Sequence, residues 1–158
     1  MIKQDYNDGK KHIHVLSFGA GTQSTAMLLM ALEGEFNGVI PDYIIFSDTG
    51  GEPESIYEWA EKINDHIKAK YGRKILYTNG GSIRNDLINA ADNDERMASL
   101  PFFVKKDDGE LGMIMRQCTD QYKIQPVKKK VRELLGYSKG QRVGEVVHMW
   151  KGISTDEI

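Results

Sequence analysis

What most constrains the fold of this chain is an alternation of short apolar runs with amphipathic ones. "HIHVLSF" (12–18) alternates in polarity and is β-branched enough for a strand. Glycines follow, then "STAMLLMALEG", a run almost free of polar side chains that stops at Gly34, a C-terminal cap for a helix. "DYIIFSD" (42–48) is continuously apolar at its centre, as a strand inside a parallel sheet is, and runs straight into "TGGEPES". A helix is expected next. Pro53 suits its first position, Glu52 and Glu54 suit the positive end of its dipole, and Ile56, Ala60, Ile63, Ile67 and Tyr71 share one face before Gly72. "KILYT" (74–78) supplies a third strand closed by "NGGS", after which Ser82 caps a helix carrying Ile83, Leu87, Ile88 and Ala91.

Strand and helix thus alternate three times, which predicts an α/β fold. Because successive parallel strands need right-handed crossovers, the expected form is a three-layer α/β/α arrangement with a mostly parallel, doubly wound sheet. Over 92–115 the periodicity fades, and "PFFVKKDDGELGMIM" reads either as a hairpin around Asp108-Gly109 or as a lid-like loop. "KIQPVKKKVRELLG" resumes as a helix, with Pro126 early, Val127, Val131, Leu134 and Leu135 on its buried side and Gly136 as its stop; "RVGEVVHMWKGIS" reads as a last strand. At 158 residues one domain, 1–158, is expected.

The net charge of −2 gives no global reason to expect nucleic acid or a membrane surface as partner. No apolar run approaches the roughly 20 residues that cross a bilayer, and "MIKQDYNDGKKHIH" lacks the apolar centre of a secretion signal, so a cytoplasmic protein with no membrane partner is expected. Cys118 is the single cysteine; alone it cannot form an internal disulfide or hold an iron–sulfur cluster or structural zinc. The four histidines are scattered along the sequence and do not read as a metal site.

In an open parallel sheet, the carboxyl ends of the strands and the amino ends of the following helices form the ligand crevice, where unpaired N–H groups favour an anion. Residues 17–25 occupy that place. Gly19 and Gly21 let the main chain approach a phosphate without a Cβ in the way, and allow positive φ where a tight turn needs it. Ser17, Thr22, Ser24 and Thr25 add hydroxyl donors without fixed positive charge, so a phosphate-type group is the favoured ligand. A plain strand-to-helix turn whose glycines serve packing is the bland alternative. A dinucleotide fingerprint fits Gly19 to Ser24 except at its third glycine, but Asp48 lies too far along to be its ribose partner. No Gly-Lys-Ser/Thr marks a Walker loop there.

Together "SFGAGTQS", "IIFSDTGGEPESIYEW", "RQCTDQYKIQPVKKKVRELLG" and "MWKGISTDE" resemble the phosphoadenosine phosphosulfate reductase family of the PP-loop, or adenine nucleotide alpha-hydrolase-like, superfamily, over residues 15–157. "SFGAGTQS" is similar to the PP-loop, commonly Ser-Gly-Gly-x-Asp-Ser: Ser17, Gly19, Gly21 and Ser24 match in type, Phe18 replaces a glycine and Gln23 the usual acid. "IIFSDTGGEPESIYEW" resembles the family's Asp-Thr-Gly-x-Glu element, carried by Asp48, Thr49, Gly50 and Glu52. The resemblance implies that ATP or a phosphoadenosine phosphosulfate-like nucleotide lies along the crevice. Its phosphates would sit on residues 17–24, Thr22 included, and its adenine edge would meet main-chain atoms near Phe46 and Ser47. Asp48 would accept from a ribose hydroxyl or help hold magnesium through water; capping the helix at Pro53 is the alternative. Arg116, Cys118, Thr119, Lys123 and Pro126 resemble the family's Arg-x-Cys-Thr…Lys…Pro stretch. Arg116 and Lys123 would clamp phosphate or sulfate and neutralise a leaving pyrophosphate or AMP. Cys118 is read either as nucleophile or sulfur carrier or as a small buried hydrophobe, and Lys128, Lys129, Lys130 and Arg132 as a solvated helix face.

The departures matter too. The tail cysteine of the family's reductases and the paired cysteines of its iron–sulfur members have no counterpart, so neither reductase activity nor an iron–sulfur cluster is expected of this chain. "GISTDEI", with Gly152, is similar to a Gly-Ile-x-x-x-Glu segment that in relatives precedes an arginine facing the phosphates; a short, phage-type or truncated member lacking the family's C-terminal part is therefore expected. Three functions remain in view. One is an ATP pyrophosphatase-type enzyme giving AMP and pyrophosphate, with an unidentified second substrate; another is a nucleotide-binding partner subunit without turnover. The third is a component of a nucleic-acid modification system, to which the basic region 123–142 would contribute.

Overall fold

A central strand shows its side chains alternately to two faces, and both must be covered before it is stable. The computed structural model describes residues 6–93, 103–105, 109–113 and 118–154 and meets that demand. In chain order it has β1 (His12–Phe18), α1 (Thr22–Leu32), β2 (Tyr43–Asp48), α2 (Glu54–Tyr71), β3 (Ile75–Asn79) and α3 (Ile83–Asn93). Then come β4 (Phe103–Lys105), β5 (Leu111–Met113), a π-helical turn (Asp120–Ile124), α4 (Gln125–Leu134) and β6 (Val146–Lys151). Four strands form a wholly parallel sheet in the order β3-β2-β1-β6, with Phe18 beside Phe46, Phe46 beside Tyr77 and Leu16 beside Trp150. The fold is α/β.

Leu16 and Phe18 of β1, Ile44 and Phe46 of β2, and Trp150 of β6 pack in one cluster with Leu28 and Ala31 of α1 and Ala60, Ile63 and Ile67 of α2. The intervening residues Ile13, Val15 and Ile45 pack with Val127 and Val131 of α4. Each fully buried Leu, Ile or Phe contributes roughly 1.5–3 kcal/mol relative to exposure, so these two clusters fix the strand register: a slip of one residue would exchange them. The expected face of α2 is the one buried, and the helix stops at Gly72, whose φ of 63° lets its N–H reach Lys68 O. Gly34 and Gly136 likewise take positive φ after α1 and α4.

Three sequence readings gain detail. First, α3 forms as expected, and Ser82 Oγ accepts from Asn85 N–H as a cap; Leu87 and Ile88 are exposed. The start of this helix is tied back to the segment after β2, through Ile83 N–H to Thr49 O and Ser82 Oγ to Gly50 O. Second, of the two options for the 101–115 segment, β4 and β5 pair antiparallel as a hairpin with Gly109 at φ 84°; Asp108 lies outside the described residues. Third, three of the four histidines are not scattered in space. His12 and His14 share a face of β1, and the β1–β6 register sets His148 beside His14. His12 Nδ1 lies 2.7 Å from His148 Nε2, His12 Nε2 2.9 Å from Asp8 Oδ1, and Trp150 Nε1 donates to His14 Nδ1 at 3.0 Å. Among the described residues no group of three His, Cys, Asp or Glu side chains is arranged to hold a metal, and no helix is long and apolar enough to cross a membrane.

Candidate functional site

The carboxyl ends of β1 and β2 are neighbours in the sheet, so the chain segments leaving them share one edge of the molecule. After β1, Gly19 is exposed, Ala20 is buried, and Gly21 is the N-cap of α1 with no side chain capping it. The main-chain N–H groups of the first turn of α1 thus have no side-chain acceptor from the N-cap, which gives this end of the helix its partial positive charge. The tight turn needs one left-handed residue, and it is Ala20, at φ 55°, rather than either glycine; Gly21 has φ −82°. The expectation that the glycines supply positive φ is therefore corrected. What they supply is room: beyond its chain neighbours, a Cβ on Gly19 or Gly21 would come no nearer than 3.8 Å to another atom. Thr22 and Gln23 are exposed, Ser17 half-buried and Ser24 buried, its hydroxyl donating to Gly21 O at 3.1 Å.

Gly152 follows β6 and lies against the same turn. A Cβ there would stand 2.5 Å from Ser24 N, so only glycine lets the main chain pass so close. Thr25 Oγ1 accepts from Trp59 Nε1 at 3.3 Å, which ties α2 to α1 at this end.

After β2 the chain turns at Gly50, φ 64°, where a Cβ would collide with Ser82. Asp48 Oδ1 accepts from Gly50 N–H and from Tyr57 Oη, each at 2.8 Å. Asp48 therefore shapes the turn and grips the first turns of α2 through Tyr57; it does not cap the helix, whose N-cap is Pro53. Burial first, and then the bond to Asp48, raise the Tyr57 pKa, so the phenol stays a donor. Buried Thr49 donates through Oγ1 to Glu52 Oε1 at 3.2 Å, and the same oxygen meets Lys123 Nζ at 3.0 Å.

Lys123 arrives from the other face of the sheet, on the π-helical turn, and that turn is anchored by Tyr122. The Tyr122 ring is fully buried, its carbonyl accepts from Ser47 Oγ at 2.7 Å, and its hydroxyl donates to Asp86 Oδ2. Burial and the Asp86 carboxylate push its pKa up to about 12. Gly80 allows the docking, because a Cβ there would strike the Pro126 ring and lie 2.9 Å from Gln121 O. One wide turn among α-helical residues redirects side chains, as such insertions commonly do at sites.

The structure thus brings together Asp48, Thr49, Gly50, Glu52, Ser47 and Lys123 at the end of β2, beside the loop carrying Ser17, Gly19, Gly21, Thr22, Gln23, Ser24 and Gly152. Phe18 and Phe46 have their side chains in the core, leaving only main-chain atoms for a ligand. Cys118 is a half-exposed free thiol one helical turn before Tyr122. Arg116 lies outside the described residues. Sequence reasoning missed Tyr57, Trp59, Asp86 and Tyr122; only the buried tyrosine within a basic stretch, with its helical offset from Pro126, hinted at any of them. No family model and no curated protein matches the chain.

Proposed function

We propose that this edge of the sheet binds an adenine nucleotide, ATP or a phosphoadenosine phosphosulfate-like compound, with its phosphates on residues 17–24, in a three-layer, doubly wound fold of the adenine nucleotide alpha-hydrolase type. The observation that carries the proposal is the Lys123–Glu52 pair. Two segments 71 positions apart, each resembling a different part of one family's site, meet at 3.0 Å beyond the end of β2, whose neighbour β1 leads into an uncapped, glycine-flanked helix start. A cation, main-chain donors and hydroxyls then converge where a polyphosphate would lie.

The roles divide by chemistry. Gly19 and Gly21 leave space for phosphate oxygens, and the first turn of α1 donates to them. Lys123, released from Glu52, neutralises charge building on the leaving group as the α–β bond of ATP breaks and a substrate oxygen bonds the α-phosphorus. Magnesium would be held on the phosphates mainly through water, with Asp48 as the carboxylate that could support it. The donor set here fits that loose mode and not a dedicated metal cage, since Asp48 Oδ1 already takes two hydrogen bonds.

The test is calorimetric titration with ATP, alongside pyrophosphate release with and without magnesium. Binding is expected to weaken at least tenfold in Ser24→Ala/Lys123→Ala, with thermal stability near that of the parent. Failure of ATP, AMP and phosphoadenosine phosphate to bind would overturn the proposal; binding without pyrophosphate release would leave a nucleotide-binding subunit without turnover.

A further inference from the structure

The outer side of α4, away from the sheet, carries a distinct surface of different character. Residues 124–142 hold six Lys and Arg against one acid, Glu133, a net of +5 set against −7 for the rest of the chain. The fold concentrates this charge further. Val127 and Val131 face the sheet, so Lys128, Lys129 and Arg132 line the other side of the helix. The chain then turns at Gly136 and folds back, making Tyr137, Ser138 and Lys139 the opposite wall of a groove of about 780 Å³.

That wall is held in place. Arg132 Nη2 donates to Ser138 O at 2.7 Å and to Gln141 O at 2.6 Å, and Tyr137 Oη donates to Glu145 Oε2 at 2.8 Å while accepting from Gly144 N–H. Arg132 is satisfied by carbonyls, so its charge is fixed and not neutralised. Glu133, the acid lining the groove, sits 3.7 Å from Lys130. Lys128, Lys129 and Lys139 are exposed and have no ion pair among the described residues.

From this we infer that the groove binds the phosphodiester backbone of a nucleic-acid strand, without reading its sequence. The cations are spread along α4 and its returning turn instead of converging on one point, which suits a repeating anion more than a single small one. A lipid surface is disfavoured, because none of the exposed large apolar residues among the described ones falls within 123–142. The polar groups that could read base edges are engaged elsewhere: Gln125 Nε2 is bonded to Asp120 and the Tyr137 hydroxyl to Glu145. Lys128, Lys129, Arg132 and Lys139 would make about four phosphate contacts, giving a salt slope of about −2.8 on a single strand to −3.6 on a duplex and a loss of roughly 50- to 150-fold between 50 and 200 mM salt.

Fluorescence anisotropy of labelled 20-mers would test this, with single-stranded RNA, single-stranded DNA and duplex DNA as separate arms that identify the source of the backbone. Lys128→Glu/Lys129→Glu/Lys139→Glu is expected to weaken binding at least tenfold. Lys62→Glu/Lys68→Glu/Lys74→Glu, the same charge change placed on and beside α2, is expected to change it less than threefold. The inference is overturned if none of the three nucleic acids binds with that salt dependence, or if both triple variants lose equally. It is overturned as well if polyglutamate, standing for an acidic protein surface, or anionic phosphatidylglycerol vesicles are bound more tightly than any strand.

Discussion

Ala20 carries the backbone strain of the loop after β1. An L-residue at φ 55° is about 1–2 kcal/mol above its right-handed form, and this one is also buried, at 3% exposure. A β-branched side chain tolerates that conformation far worse. Ala20→Val is therefore expected to lower unfolding free energy by about 2 kcal/mol or more, read as a drop in the urea midpoint. An unchanged midpoint would mean that the turn is not held as described. The sequence shows the glycines of this loop but not which residue takes the left-handed position, because the turn packs against chain far along the sequence, with Gly152 set against Gln23 and Ser24. Gly80 is similar. "NGGS" is visible as a strand terminator, yet the requirement for no side chain comes from Pro126, forty-six positions later.

Elements were legible wherever a local period meets a local stop. β1, β2, β3, α1, α2 and α4 fall where polarity patterns and terminal glycines place them, since those signals are contained within each segment. What was not legible is contact between elements: the exposed flank of α3, the π-helical turn that delivers Lys123, and the histidines gathered by the β1–β6 pairing. That pairing has a pH signature. His14 is buried, and burial first, then His148 and His12, lower its pKa below the usual histidine value, while Asp42 opposes them. Tyr6 and Trp150 complete its surroundings, and Asp8 faces His12. The unfolded chain thus takes up this proton more readily than the folded one, so stability rises with pH in that window. The contribution is whole above about pH 6.5 and is lost as pH falls through the folded value. Urea midpoints taken from pH 7.5 down to 5 are expected to decline, with the His14 ring titrating below the usual histidine value by NMR. A midpoint flat over that range would remove His14 from the account.

At the level of the molecule, the candidate site lies at the strand ends of the parallel sheet and the basic groove outside α4, which packs on one face of that sheet. They share an element, for the helix whose outer side carries Lys128 and Arg132 is continuous with the turn that presents Lys123. β1 lies between β2 and β6, and its pairing with β6 joins residues 136 apart, such as His12 and His148. Until the chain reaches that far, an apolar strand has one flank of hydrogen-bonding groups without a mate. Long loop closure of this kind slows renaturation and leaves the partly formed species prone to clump. Stopped-flow recovery of Trp150 fluorescence should accordingly be the late event and Trp59, beside α1, the earlier one, each isolated by replacing the other with Phe. Yield on refolding should fall as protein concentration rises, because a neighbour's strand can take the berth that β6 comes last to fill.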